Sequence, residues 1–250
     1  MKCLILAAGY ATRLYPLTEN FPKPLLKVHD KTIMDWLVDD LESTGKIDEF
    51  IVVSNHKFIN FFEEWKKTKN IKVSIIDDGT TSNDNRLGAI VDIELAIKEY
   101  NIKDDLMVVA GDNVLEFSLK HFIEFFEAKK KTSIMYYYEP DSNVMKKGAN
   151  LVIDENEKVI NIVEKPKEPV SHYYCPAFYI YCKEDLNKVK QAIEDGCNID
   201  APGSFINYLY SKREVYAYKM PGKRYDIGDI KTYESVNRDF DFKDASKNYN

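Results

Sequence analysis

Cys3-Leu4-Ile5-Leu6-Ala7-Ala8 is an unbroken apolar run that stops at Gly9, and it constrains the fold more than any other stretch. A run of this length bounded by glycine suits a strand buried on both faces. Strands of that kind sit in parallel sheets whose faces are covered by helices, so the chain is expected to be α/β. The later sequence agrees. β-rich runs at 50–54, 72–76, 106–110, 132–138, 150–153, 159–163, 176–181 and 214–219 alternate with helical patterns. Ile33, Trp36, Leu37 and Leu41 recur at helical spacing over 33–43, and Phe58, Phe61, Phe62 and Trp65 over 57–67. Further helices are expected over 88–100, 119–129 (with Ser118 as N-cap) and 230–237. The aromatics of 57–67 read as core packing.

No Gly/Ser/Pro-rich linker and no repeat interrupts the 250 residues. One domain is expected over 1–237, with halves at 1–140 and 141–237 and a polar tail over 238–250. The net charge of −6 argues against a nucleic-acid partner, which calls for a basic excess. Nothing approaches the ~20 apolar residues of a membrane span, and the opening run is too short for a signal peptide. Cys3, Cys175, Cys182 and Cys197 show neither C-x-x-C nor finger spacing. A reducing, cytoplasmic setting follows as the expectation.

The turn after the first strand is where chemistry is expected. Gly9 allows a sharp turn and close approach of an anion to the main chain, and convergent backbone N–H groups make a concave phosphate site. Arg13 adds a planar fork of donors and Lys23 a compact charge. The spacing fits neither a Walker A loop nor G-x-G-x-x-G. A second candidate is Asp112, just past the apolar run 106–110, where open α/β sheets place ligands. It could hold a hard divalent cation or serve only as a turn residue.

The longer string L-A-A-G-Y-A-T-R-L-Y-P-L-T-(x)4-P-K-P-L-L resembles the signature of the sugar-1-phosphate nucleotidyltransferases, the glucose-1-phosphate thymidylyl- and uridylyltransferases among them. The resemblance implies a Rossmann-like three-layer α/β/α fold with a mixed, mostly parallel central sheet, of the nucleotide-diphospho-sugar transferase type. It assigns nucleotide contacts to Leu6, Ala8, Gly9, Tyr10, Ala11, Thr12, Leu87 and Gly88. It makes Arg13, Lys23 and Lys165 catalytic, and puts Mg²⁺ on Asp112 and on Asp226 of Y-D-I-G-D. Gly148 and the E-K-P pair Glu164 and Lys165 would take the sugar phosphate. Asp229 falls outside the matched position and is expected to cap the helix that follows. Arg86 either holds phosphate or pairs with an acidic neighbour.

Two departures stand out. Ala11 stands where the family usually has Gly; its N–H is kept, so phosphate binding is expected if its φ is negative. Pro176 and Ala177 replace a Thr-Gly pair that contacts the sugar, leaving the acceptor open. The implied reaction is Mg²⁺-dependent nucleotidyl transfer from an NTP (dTTP or UTP favoured) to a sugar-1-phosphate (glucose-1-phosphate favoured). A CTP-dependent transferase for phosphocholine or a phosphonate, and a non-catalytic nucleotide-sugar sensor, are the alternatives. The oligomeric state stays open, a homo-oligomer included.

Overall fold

The computed structural model describes residues 1–240. They divide into two compact units that interleave along the chain. The first comprises Met1–Arg86, Ala110–His121 and the segment from Pro221 onward; the second comprises Leu87–Val109 and Phe122–Met220. The chain therefore does not divide near residue 140. Short strands Asn113–Leu115 and Arg224–Asp226 pair with each other and draw the late Asp226 segment into the first unit.

In the first unit, strands Lys2–Leu6, Glu49–Ser54 and Val73–Asp77 run parallel, with Cys3 opposite Phe50 and Phe50 opposite Val73. The first strand ends at Leu6, two residues before the end expected, although the Ala7 N–H still bonds to the Val53 carbonyl at 2.9 Å. Helix Ile33–Ser43 opens on a capping box in which Thr32 and Asp35 satisfy each other's backbone N–H groups. Its Ile33, Met34, Leu37, Val38 and Leu41 are buried. In helix Ile59–Lys67 and just before it, Phe58, Phe62 and Trp65 are core residues as expected, whereas Phe61 is exposed.

The last helix runs over Ile230–Asp239, past the expected end at 237. Asp229 caps it, accepting the Thr232 N–H at 2.8 Å. Phe240 is buried against Trp36 and Tyr225, so the start of the expected tail is anchored by an apolar side chain. Residues 241–250 lie outside the described residues.

The second unit holds strands in the order Val159–Glu164, Ala149–Ile153, Tyr173–Cys175, Ser133–Tyr138, Phe178–Tyr181 and Leu106–Ala110. Neighbours in that order are antiparallel, and Tyr216–Lys219 adds a parallel pairing to Ser133–Tyr138. The antiparallel pairs follow from short connections. Asp154, for example, accepts the N–H groups of Asn156 and Lys158 and closes a tight turn between two strands. Helices Asn187–Glu194 and Gly203–Leu209 were not expected; the first buries only Val189 and Ala192, too few to register as a periodic stripe. All four cysteines are free thiols. Among the described residues no helix is long and apolar enough to cross a membrane.

Candidate functional site

The first unit gathers the opening motif. Beyond Leu6, Asn55 donates to the Ala8 carbonyl at 2.9 Å and ties down the turn. Gly9 has no atom beyond its chain neighbours within 4 Å of a Cβ position, and its φ is not positive. It supplies an open face, not a left-handed turn. That conformation belongs to Ala11 (φ 46°, ψ 43°), so the negative φ on which phosphate binding was made conditional is not met. Thr12, exposed, then begins a 3₁₀ turn over Thr12–Leu14. Left-handed followed by right-handed backbone is the alternation that points successive N–H groups into an anion-binding concavity, so the departure changes the torsion and keeps the function within reach. The Tyr10 side chain points inward: it is buried, and its hydroxyl lies 3.1 Å from Thr80 Oγ1. Only its main chain is left for a nucleotide.

A left-handed Ala costs about 1–2 kcal/mol, and glycine's extra chain entropy costs about 0.5–1 kcal/mol. Ala11→Gly is thus expected to raise stability by roughly 0.5–1 kcal/mol. Chemical denaturation checks it, and a loss of stability would mean that the contact of Ala11 with the cluster around Leu14 outweighs the torsion.

Two acidic segments meet this turn. Gly111 lies close against Ile5, and its N–H bonds to the Leu6 carbonyl at 3.1 Å, which sets Asp112 beside the end of the first strand. Lys23, between Pro22 and Pro24 in a 3₁₀ turn, is buried, and its Nζ lies 2.7 Å from Asp112 Oδ2. Asn113 donates to the other carboxylate oxygen at 2.7 Å. Burial opposes ionisation of Asp112, but Lys23 and then Arg224 outweigh it and hold the carboxyl below its ordinary value. Asp226 is near: its residue pairs with Asn113, and the Ile227 N–H reaches the Asp112 carbonyl at 3.3 Å. Its carboxylate is half exposed, 3.5 Å from Arg224 Nη1. Arg13 is exposed, with Nη2 3.8 Å from the Cβ position of Gly228.

Arg13, Lys23, Asp112 and Asp226 therefore belong to one neighbourhood. Arg224, which also bonds to Asn113, was missed. Its signal was present, since Arg224 and Asp226 at i and i+2 share one face of a strand. Asp112 and Asp226 suit Mg²⁺ as a donor set, being hard carboxylates with lone pairs beyond those already engaged. Arg86 donates to the Asn83 carbonyl at 3.2 Å.

The second unit holds the remaining candidates. Gly88 (φ 96°) opens helix Ala89–Glu99, and a Cβ there would lie 2.6 Å from the Ile199 carbonyl oxygen. Leu87, half-buried, precedes it. Glu164 lies opposite Ala149, and the Lys165 N–H bonds to the Gly148 carbonyl at 3.0 Å, so Gly148, Glu164 and Lys165 come together. Lys165 is left-handed (φ 46°), a conformation that costs energy and clusters at functional sites. Gly148 has a packing reason too: a Cβ would lie 2.2 Å from the Tyr174 hydroxyl. Pro176 and Ala177 fall between two strands, the Pro176 carbonyl accepting the Phe178 N–H at 2.8 Å.

Segment 199–203 joins these residues without a local signal in the sequence. Ile199 meets Gly88, Asp200 Oδ2 lies 3.8 Å from Lys165 Nζ, and Gly203 packs so closely on Glu164 that a Cβ would overlap the carboxylate.

Burial pushes Glu164 up to about 7, with Lys165 pulling down and Asp200 pushing up. Since the unfolded value is lower, the protonated form is favoured by folding, and that contribution is lost as pH rises from about 4.5 through 7. Glu164→Gln should therefore match wild type near pH 4.5 and exceed its stability by about 3 kcal/mol at pH 8. Equal pH profiles in thermal unfolding would refute this.

Three comparisons place the chain among known proteins. A family model described as Nucleotidyl transferase matches residues 2–241. A putative mannose-1-phosphate guanyltransferase of Sulfolobus acidocaldarius is 31% identical over 243 residues, covering 95% of this chain and 62% of the relative. A UTP–glucose-1-phosphate uridylyltransferase of Staphylococcus epidermidis is 26% identical over 271 residues, covering 97% and 93%. The chain thus spans less than two thirds of the first relative and nearly all of the second. Among solved structures, a putative glucose-1-phosphate thymidylyltransferase from Bacillus anthracis superposes with TM-score 0.81 at 22% identity, covering 98% of this chain and 99% of that one. The fold is that Rossmann-like type, a mixed sheet flanked by helices.

Proposed function

Because the chain belongs to the nucleotidyl transferase family, we propose that it transfers a nucleotidyl group from a nucleoside triphosphate to a sugar-1-phosphate, releasing pyrophosphate. The observation that carries this reading is the convergence of Arg13, Lys23, Asp112 and Asp226 beside the open Gly9 turn. UTP or dTTP with glucose-1-phosphate is the first pair to try. The free thiols suit a reducing, cytoplasmic setting.

A phosphate monoester is already ionised near neutral pH, so attack on the α-phosphorus needs no general base. The protein's task is to align two polyanions and offset their repulsion. The Gly9–Thr12 main chain would receive the triphosphate, and Leu87 and Gly88 would line the nucleoside. Arg13 would take up charge on departing pyrophosphate. Lys23 would exchange its Asp112 partner for a phosphate oxygen, and Lys165 would hold the acceptor phosphate while Glu164 accepts its hydroxyls. Asp112 and Asp226 would hold Mg²⁺, which when bound neutralises phosphate charge.

Incubation with each nucleoside triphosphate against a panel of sugar-1-phosphates, phosphocholine and 2-aminoethylphosphonate, following pyrophosphate, tests the reading. Release that needs both a nucleotide and a sugar-1-phosphate is expected. Release only with CTP and a non-sugar acceptor would transfer the assignment to that class, and no release at all would reject it.

A further inference from the structure

Asn113 and Arg224 lie in the strand pair that joins the two acidic segments, and both side chains are largely buried. Asp226 stands opposite Asn113, and Arg224 opposite Leu115. Alternation along the strands therefore puts Asn113, Arg224 and Asp226 on one face. The other face carries Val114 and Tyr225, buried in the cluster with Leu14, Val28 and Ile33. A slip of one residue would swap the two faces, so this apolar anchor fixes the register of the polar one. Asn113 sits there between opposite charges. Its Nδ2 donates to Asp112 Oδ1 at 2.7 Å and to the Ala110 carbonyl at 3.4 Å, while Arg224 Nη1 donates to its Oδ1. The same Nη1 lies 3.5 Å from Asp226 Oδ2. Only this orientation of the amide works. Turned over, it would set an NH₂ against the guanidinium and a carbonyl oxygen against the carboxylate. Arg224 thus fixes the amide, and the amide fixes the Asp112 carboxylate.

We infer that Asn113 is a positioning residue, locked by Arg224, that sets the Asp112 carboxylate for a divalent cation. The inference rests on the assignment of Asp112 and Asp226 to Mg²⁺ and extends it to the side chains behind them. A ligating carboxylate free to rotate must be ordered when the ion arrives, whereas one already hydrogen-bonded is not. Removing such a supporting partner costs about 10–100-fold in metal affinity. Because Arg224 works through the amide of Asn113, losing either residue should release the same carboxylate.

Binding of Mn²⁺ alone, read from the loss of its free-ion electron paramagnetic resonance signal, tests this without any turnover. Asn113→Ala and Arg224→Gln should each weaken Mn²⁺ binding by at least about 10-fold relative to wild type. The double variant should stay within about 3-fold of the weaker-binding single one, since the second change removes nothing the first left working. In the pyrophosphate assay, high Mg²⁺ should restore most of the turnover of Asn113→Ala with the sugar-phosphate KM unchanged, a response that general damage to the fold would not give. Should Arg224→Gln fail to fold, Asn113→Ala carries the test by itself. Wild-type Mn²⁺ affinity in Asn113→Ala would overturn the inference. So would effects that multiply in the double variant, because Arg224 would then act independently of Asn113. A wild-type protein that takes up no Mn²⁺ would overturn the cation site as well, and pyrophosphate release would still judge nucleotidyl transfer separately.

Discussion

Asp112→Asn is expected to lower turnover by about 1,000-fold, the upper range for removing one preorganised charge contact, and to destabilise the protein as well. The second effect follows from Lys23. Its ammonium is buried and finds its counter-charge 2.7 Å away on Asp112. Removing one partner of a fully buried pair costs about 3–5 kcal/mol. Here the carboxylate is one-third exposed and Asn keeps an acceptor, so about 1–3 kcal/mol is expected. Substituting Lys23 by Met as well should recover part of that loss, because no unpaired charge then remains buried, while activity stays low. Thermal unfolding and pyrophosphate release, measured on the same samples, separate the two effects. A stable, active Asp112→Asn protein would reduce the carboxylate to a turn residue.

Arg13→Ala should cut kcat/KM by at least about 100-fold and leave stability within about 0.5 kcal/mol. Arg13 is exposed, and its guanidinium reaches toward Gly228 beside the Asp226 segment. Removing it exposes no cavity and orphans no buried group. The loss should therefore appear in rate alone. Near-normal turnover would take Arg13 out of the mechanism.

Much of the candidate site was legible because its chemistry is local in sequence. The buried strand followed by Gly9, the P-K-P segment and the acid after a buried run each announce themselves within a few residues. What escaped depends on distant pairing. Nothing in Gly88 reveals that a Cβ would strike the Ile199 carbonyl, nor in Glu164 that Gly203 covers it. The sharp turn was expected at Gly9, while the left-handed torsion lies at Ala11, since residue type sets what a torsion costs and the surrounding contacts decide which torsion is used. Thr18, whose hydroxyl donates to the Ala11 carbonyl at 2.8 Å, is one such contact. The division near residue 140 failed for a similar reason: strand pairing between 113–115 and 224–226 assigns residues by contact rather than by order.

The most direct measurement follows a nucleoside triphosphate labelled at its α-phosphate, incubated with wild-type protein, Mg²⁺ and a sugar-1-phosphate. The account predicts label in a nucleotide-sugar, in step with unlabelled pyrophosphate, and no label movement when the sugar phosphate is left out. Label appearing instead as nucleoside mono- or diphosphate, or moving onto the protein without an acceptor, would contradict it.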